Sequence, residues 1–213
     1  MKMLILGASG KLGRVITAQA LTRGHLVSAQ GRTAPSADSS PAVSVLTFDP
    51  AAPGSAYPGA LVGHDAVIYA LGFSGRAPVE FFSATTRALL DGMQQAGVKR
   101  LVAVTGVGAG DSRGHGGWLY DRIVFPFFTK PMYADKDRQE ALISASDLDW
   151  TILRPAPFNA TAGAEPLHAL TTIAPRTRLN RVTLTEVADF ALDCVERGSY
   201  LRQAVFFGHG VAG

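Results

Sequence analysis

Short apolar runs alternate along this chain with longer stretches whose apolar positions recur at helical spacing. The first run, Met3 to Leu6, is followed by Leu12, Val15, Ile16, Ala20 and Leu21, which share one face of a helix from about Lys11 to Arg23 that stops at Gly24. The pattern then predicts strands over Leu26–Gln30, Val43–Phe48, Ala66–Leu71, Arg100–Thr105, Trp150–Leu153 and Ala204–Phe207. Ala66–Leu71 is nearly all apolar, as a strand buried on both faces should be. Helices are predicted over Val79–Ala96, stopped at Gly97, and over Tyr133–Ser144. Val182–Leu184 reads as short and extended, and Thr185 as the cap of a helix to Arg197, closed by Gly198. The proline-rich stretch Asp49–Gly59 leaves little room for a full helix, and Arg154-Pro155 reads as the break that ends the sixth strand. Strands separated by helices imply an α/β fold, a mostly parallel sheet with helices on both faces.

The junction of the first strand and first helix carries the strongest chemical signal. It reads Gly7-Ala-Ser9-Gly10-Lys11-Leu12-Gly13. A strand, a glycine turn and a helix start together form an anion site, because unpaired backbone N–H groups and the positive end of the helix dipole converge there. Gly7 allows the sharp exit from the strand, Gly10 lets backbone approach a pyrophosphate, and Gly13 lets the helix pack closely. The spacing is G-x-x-G-x-x-G, so the dinucleotide reading rests on context: a strand before, an amphipathic helix after, and a second strand at βαβ distance.

Further residues are placed by the rule that ligands of such sheets sit at the carboxyl ends of the strands. Arg32 follows strand two where NAD-specific folds carry a carboxylate, and an arginine there can fork onto a 2′-phosphate, with Lys11 adding positive charge. This points to NADP(H) in preference to NAD(H). Asp49 can meet an adenine amino group or serve only an Asp–Pro turn. Ala70-Leu71-Gly72 lets backbone pass close to the cofactor ribose or simply ends a strand. Thr105, before Gly106, offers a hydroxyl that can hold a substrate carbonyl, or is only a β-branched strand residue. Tyr133 and Lys136 share a helix face, so a phenol and an ammonium can meet as a proton donor and a ribose contact; equally, Lys136 can pair with Glu140 on a charged face. Pro155 and Ala156 end strand six, where backbone groups can bond the nicotinamide carboxamide.

Composition narrows the class. Hydrophobic residues make up 47% and charged residues 17%, which suits a folded chain with a sizeable core. The net charge of +3 has no block of like charges, so nucleic acid is not an expected partner. The lone Cys194 excludes an intrachain disulfide and reads as a buried inert thiol. His25, His64, His115, His168 and His209 lack metal-ligand spacing, so no metal is expected. No apolar run is long enough for a signal peptide or a membrane span. The expectation is a cytoplasmic protein, monomer or homodimer, acting on a small molecule.

The chain resembles the atypical short-chain dehydrogenase/reductases, in the NAD(P)H-binding branch near biliverdin/flavin reductase B and NmrA-like proteins. The resemblance is carried by Gly7–Gly13, Arg32, Asp65–Gly72, Val102–Thr105, Tyr133–Glu140, Asp147–Pro155 and Leu184–Asp189. It implies a Rossmann-type doubly wound sheet of about seven strands. The length fits one domain over residues 1–213, with a small substrate-side part from about residue 155. NADP(H) would lie at Gly7–Gly13, Arg32, Leu71, Thr105, Lys136 and Pro155. The typical enzymes use Tyr-x-x-x-Lys where this chain has Tyr133-x-x-Lys136, and the flavin reductases place a serine where Gly106 stands. The activity implied is NADPH-dependent hydride transfer to a flavin, quinone or carbonyl compound under a segment from Gly106 to Pro131; the alternative is a non-catalytic NADP(H) sensor.

Overall fold

The computed structural model describes residues 1–31, 41–51, 57–72, 80–106, 130–174 and 176–211. Five parallel pairings run through β1 (Lys2–Leu6), β2 (Leu26–Gly31), β3 (Val43–Thr47), β4 (Ala66–Tyr69), β5 (Arg100–Val104) and β6 (Asp149–Pro155) in the order β3-β2-β1-β4-β5-β6. The sheet continues through β9 (Gln203–Val211), parallel to β6. Two short antiparallel strands, β7 (Leu167–Leu170) and β8 (Arg178–Arg181), both pair with β9. The strand order reverses between β1 and β4, which places a crevice above these two strands.

The period of two in the central strands sorts their side chains into two layers. Met3 and Ile5, Ala66 and Ile68, and Val102 and Val104 face one layer, together with Ile16 and Ala20 of α1 (Lys11–Thr22) and Val187, Ala191 and Leu192 of α5 (Leu184–Arg197). Leu4 and Leu6, Val67 and Tyr69, and Leu101 and Ala103 face the other. There they meet Tyr57 and Leu61 of α2 (Tyr57–Leu61), Phe82, Leu89 and Met93 of α3 (Phe81–Ala96), and Ile143 of α4 (Lys130–Ser144). The sheet is therefore doubly wound, and the predicted apolar face of α1 is the face that packs on it.

Several local expectations are corrected. The described sheet has nine strands where about seven were expected, because two strands of only four residues, β7 and β8, add to it by pairing antiparallel with β9. The extended stretch expected at Val182–Leu184 lies earlier, at Arg178–Arg181, with Val182 making only a bridge to Phe158. Arg154 and Pro155 do not break β6, since the strand runs through both and stays paired with β9. The proline-rich crossover ends in a helix of only five residues, α2, in keeping with the little room expected for a full one. The cap of α5 is Thr183, not Thr185; its hydroxyl accepts from the Glu186 N–H while the Glu186 carboxylate accepts from the Thr183 N–H, a reciprocal capping box. Cys194 is fully buried, as expected.

Buried polar groups tie the layers together. Asp135 of α4 is buried and accepts from the N–H groups of Phe82 (2.6 Å) and Ser83 (3.3 Å), so a carboxylate of one helix caps the positive end of another. On the far edge, His209 of β9 presents Nδ1 to the Glu165 carbonyl (2.6 Å) and Nε2 to the Glu186 carboxylate (2.8 Å). Both partners are acceptors, so both ring nitrogens must carry protons and the residue is an imidazolium. The hydrogen bond to Glu186 is the main cause that raises its pKa above the ordinary 6.5. A raised histidine pKa adds stability that is complete below the unfolded value and is lost as pH rises through the folded one. Unfolding titrations of the wild type and His209→Gln across about pH 6 to 8 should therefore show a wild-type advantage that shrinks as pH rises. A pH-independent gap would remove the imidazolium assignment.

Candidate functional site

The turn after β1 is held by a residue at the end of β2. Gln30 is buried, and its side-chain carbonyl accepts from the Gly7 N–H (3.0 Å) while its amide donates to the Phe48 carbonyl (2.7 Å). Its backbone carbonyl takes the Ala8 N–H at 2.9 Å. The Gly10 N–H closes on the Gly7 carbonyl (2.9 Å), and the first helical bond runs from the Arg14 N–H to the Gly10 carbonyl. This accounts for the turn and leaves the N–H groups of Lys11, Leu12 and Gly13 without a partner among the described residues. No side chain caps α1, and its first turn holds no acidic residue. Three convergent donors on an uncompensated helix dipole form the arrangement that a pyrophosphate fits.

The glycines are required by contact. Gly7 has φ +80°, and a Cβ there would lie 2.8 Å from the Ala70 carbonyl oxygen. A Cβ on Gly13 would lie 2.1 Å from the Gly7 carbonyl oxygen and 2.7 Å from Ala8 Cα, so Gly13 is what lets α1 begin directly against the turn. Gly10 is exposed, and a Cβ there would meet only the Gly7 carbonyl, leaving its outer face open to a ligand. Ser9 accepts from Arg14 Nε through its carbonyl (3.0 Å), and Lys11 is exposed.

Around this turn the sheet gathers the other predicted positions at its carboxyl edge. Ala70, Leu71 and Gly72 leave β4 beside Gly7, with the Ala70 N–H bonded to the Leu6 carbonyl at 3.0 Å. Thr105 and Gly106 leave β5, and Pro155 and Ala156 leave β6. Asp49 follows β3 and accepts from the Ala51 N–H at 3.0 Å, so one of its oxygens serves the Asp–Pro turn. Arg32, His115 and residues 107–129 of the expected covering segment lie outside the described residues. Tyr133 lies within α4, but its side chain is outside the described part.

One expected role is corrected. The Thr105 hydroxyl is not available to hold a substrate carbonyl, because it donates to Glu140 Oε1 at 2.6 Å in a buried setting. At the β6 exit, proline has no N–H and the Ala156 N–H donates to the Phe207 carbonyl (2.8 Å), so a backbone bond to a carboxamide would be made through a carbonyl oxygen accepting from its NH2 group. Lys136 does reach this edge. Its ammonium donates to the Thr105 carbonyl and stands 4.9 Å from the Phe82 ring centroid. Burial pushes its pKa down to about 8, against the opposing attraction of Glu140. Glu140 itself is engaged chiefly with Arg154, whose Nη2 lies 2.6 Å from Glu140 Oε2. Three residues that carry the site were not singled out for these roles: Gln30, Glu140 and Arg154. The available signals were a polar residue inside the apolar β2 run and a carboxylate one helical turn beyond Lys136.

Comparison with known proteins gives the same picture. A family model described as NAD(P)H-binding matches residues 7–197. The oxidoreductase ylbE of Lactococcus lactis is similar with a TM-score of 0.81 and 19% identity, covering 100% of this chain and 93% of that one. A wide-type short-chain dehydrogenase/reductase of Veillonella parvula DSM 2008, solved in complex with NADP, gives 0.77 and 17% over 98% of this chain and 94% of its own. SP1627 of Streptococcus pneumoniae TIGR4, a candidate NADH-flavin reductase, gives 0.75 and 22% over 98% and 99%. At these identities the likeness is one of fold.

The glycine contacts yield a direct expectation. Gly13→Ala should cost about 1–3 kcal/mol of stability through overpacking against the Gly7 carbonyl, and should weaken nicotinamide-nucleotide binding in a fluorescence titration. Unchanged affinity would show that this turn does not hold the nucleotide.

Proposed function

We propose that this chain, which belongs to the NAD(P)H-binding family, is an NADPH-dependent oxidoreductase that delivers hydride to a small electrophile such as a flavin, a quinone or a carbonyl compound. The observation that carries this reading is the uncapped start of α1, fixed by Gln30 and facing the same sheet edge as Lys136. The fit to a dinucleotide is physical: unpaired Lys11, Leu12 and Gly13 N–H groups for the pyrophosphate, and an open face at Gly10. Arg32, one residue beyond β2, is the side chain for a 2′-phosphate. The Veillonella protein solved with NADP and the candidate flavin reductase of Streptococcus share this fold, which supports a nicotinamide cofactor and a flavin-type acceptor.

When bound, the nicotinamide supplies the hydride. The chain supplies position: the ends of β4, β5 and β6 set where the ring can lie, and Lys136 places a cation there. With the Thr105 hydroxyl committed to Glu140, acceptors that take their proton from water suit the site better than those that need a side-chain donor. The same commitment favours, as a second reading, a sensor that binds NADP(H) without turnover.

Fluorescence titration with NADPH and NADH, followed by addition of FMN or a small quinone while nicotinamide absorbance is recorded, tests both. The reductase reading expects tighter NADPH binding and acceptor-dependent oxidation; binding without oxidation by either acceptor favours the sensor. Arg32→Ala should weaken NADPH by about 10-fold or more, the worth of a charge-assisted arginine–phosphate contact, and leave NADH unchanged. Equal losses for both nucleotides would remove the 2′-phosphate role.

A further inference from the structure

The carboxylate of Glu140 does more than neutralise Arg154. It joins α4 to the ends of β5 and β6. Oε1 accepts from the Thr105 hydroxyl at the end of β5 (2.6 Å) and from Arg154 Nε (3.3 Å); Oε2 accepts from Arg154 Nη2 (2.6 Å) and Nε (3.2 Å) on β6. Glu140 and Arg154 are only 5% and 7% exposed, and the guanidinium carbon lies 4.9 Å from the Phe206 ring centroid of β9. Lys136 precedes Glu140 by one turn of α4 and donates to the carbonyl of the same Thr105 whose hydroxyl Glu140 holds. A paired Glu–Arg would by itself be weak grounds for stability, since desolvation offsets most of the attraction. Its placement one turn of α4 beyond Lys136, whose ammonium bonds the end of β5, gives it a different use.

We propose that Glu140 is the positioning residue of this site: it pins the exits of β5 and β6 and holds the Lys136 ammonium toward the cofactor. This rests on the reading that Lys136 meets the nucleotide. The charge pattern supports it. Glu140 and Arg154 compensate each other, and Lys136 adds a positive charge at the edge that faces a polyanionic ligand. Among the described residues, the groups facing Lys136 are the Thr105 carbonyl at the end of β5, the uncharged Phe82 ring from α3, Glu140 on its own helix and, beyond that carboxylate, Arg154 from β6. Asp135 is turned to the start of α3 and does not serve Lys136. Removing the Glu140 charge takes away the carboxylate whose attraction opposes the effect of burial on Lys136, so the ammonium loses its proton more easily.

The test is an NMR titration of the full-length chain labelled at its lysine side chains. The five lysines are few enough to resolve, and Lys136→Arg assigns the signal. In the nucleotide-free wild type, Lys136 is expected to titrate near 8. In Glu140→Gln the midpoint should fall by about one unit or more, the usual effect of losing a close opposite charge; Glu140→Asp, which keeps the charge on a shorter arm, should fall between. Thermal unfolding of each variant shows that the comparison is made on folded protein. The NADPH dissociation constant, measured across the same pH range, should rise as Lys136 loses its proton, and that rise should move to lower pH in Glu140→Gln. A Lys136 midpoint identical in wild type and Glu140→Gln overturns the proposal. A midpoint that moves while NADPH affinity stays flat with pH supports the hold of Glu140 on Lys136, and overturns instead the assignment of Lys136 to the nucleotide.

Discussion

The bond from the Gly7 N–H to the Gln30 side chain is the constraint on which the rest of the site depends. A glycine turn has several ways to satisfy its amides, and most would close over the start of the next helix. By taking the Gly7 and Ala8 N–H groups onto β2, Gln30 fixes the turn from the side and leaves the first amides of α1 pointing outward. The same carboxamide donates to the Phe48 carbonyl, so the exits of β1, β2 and β3 are joined through one buried side chain. A buried amide left without a partner costs free energy comparable to the bond itself. The turn geometry is therefore set by hydrogen-bond accounting as well as by the glycines, which remove the Cβ atoms that would collide with Ala70 and with the turn itself.

At the other end of the crevice the organising force is charge. Lys136, Glu140 and Arg154 lie among apolar residues of two helices and three strands, where each isolated charge would be costly. Glu140 and Arg154 compensate each other, but Lys136 is held with its pKa pushed down by burial. A fold under selection for stability alone would have no use for that lysine. The amides at the start of α1 on one side and the Lys136 ammonium on the other give the sheet edge a positive field, which is the condition for taking up a polyanion.

Much of this was legible from the residues. Met3–Leu6, the glycine spacing and the apolar stripe of α1 are local patterns, and local sterics and periodicity dictate a strand, a turn and a helix wherever they occur. The all-apolar run at 66–69 likewise requires burial on both faces, and the two core layers confirm it. The sequence by itself thus determined the alternation of strands and helices, the carboxyl ends of the strands as the ligand side and the identity of the glycine turn. Tertiary structure decided what each polar side chain does there. Thr105 could offer its hydroxyl to a substrate or to the protein, and only the packing of α4 against β5 brings Glu140 close enough to claim it. Arg154-Pro155 looked like a strand end until β9 supplied the partner that carries β6 through it. Gln30 and Glu140 are separated in sequence from the groups they hold by 23 and 35 residues. Periodicity reports which face a residue occupies; it carries no information about which distant donor or acceptor the fold will place opposite.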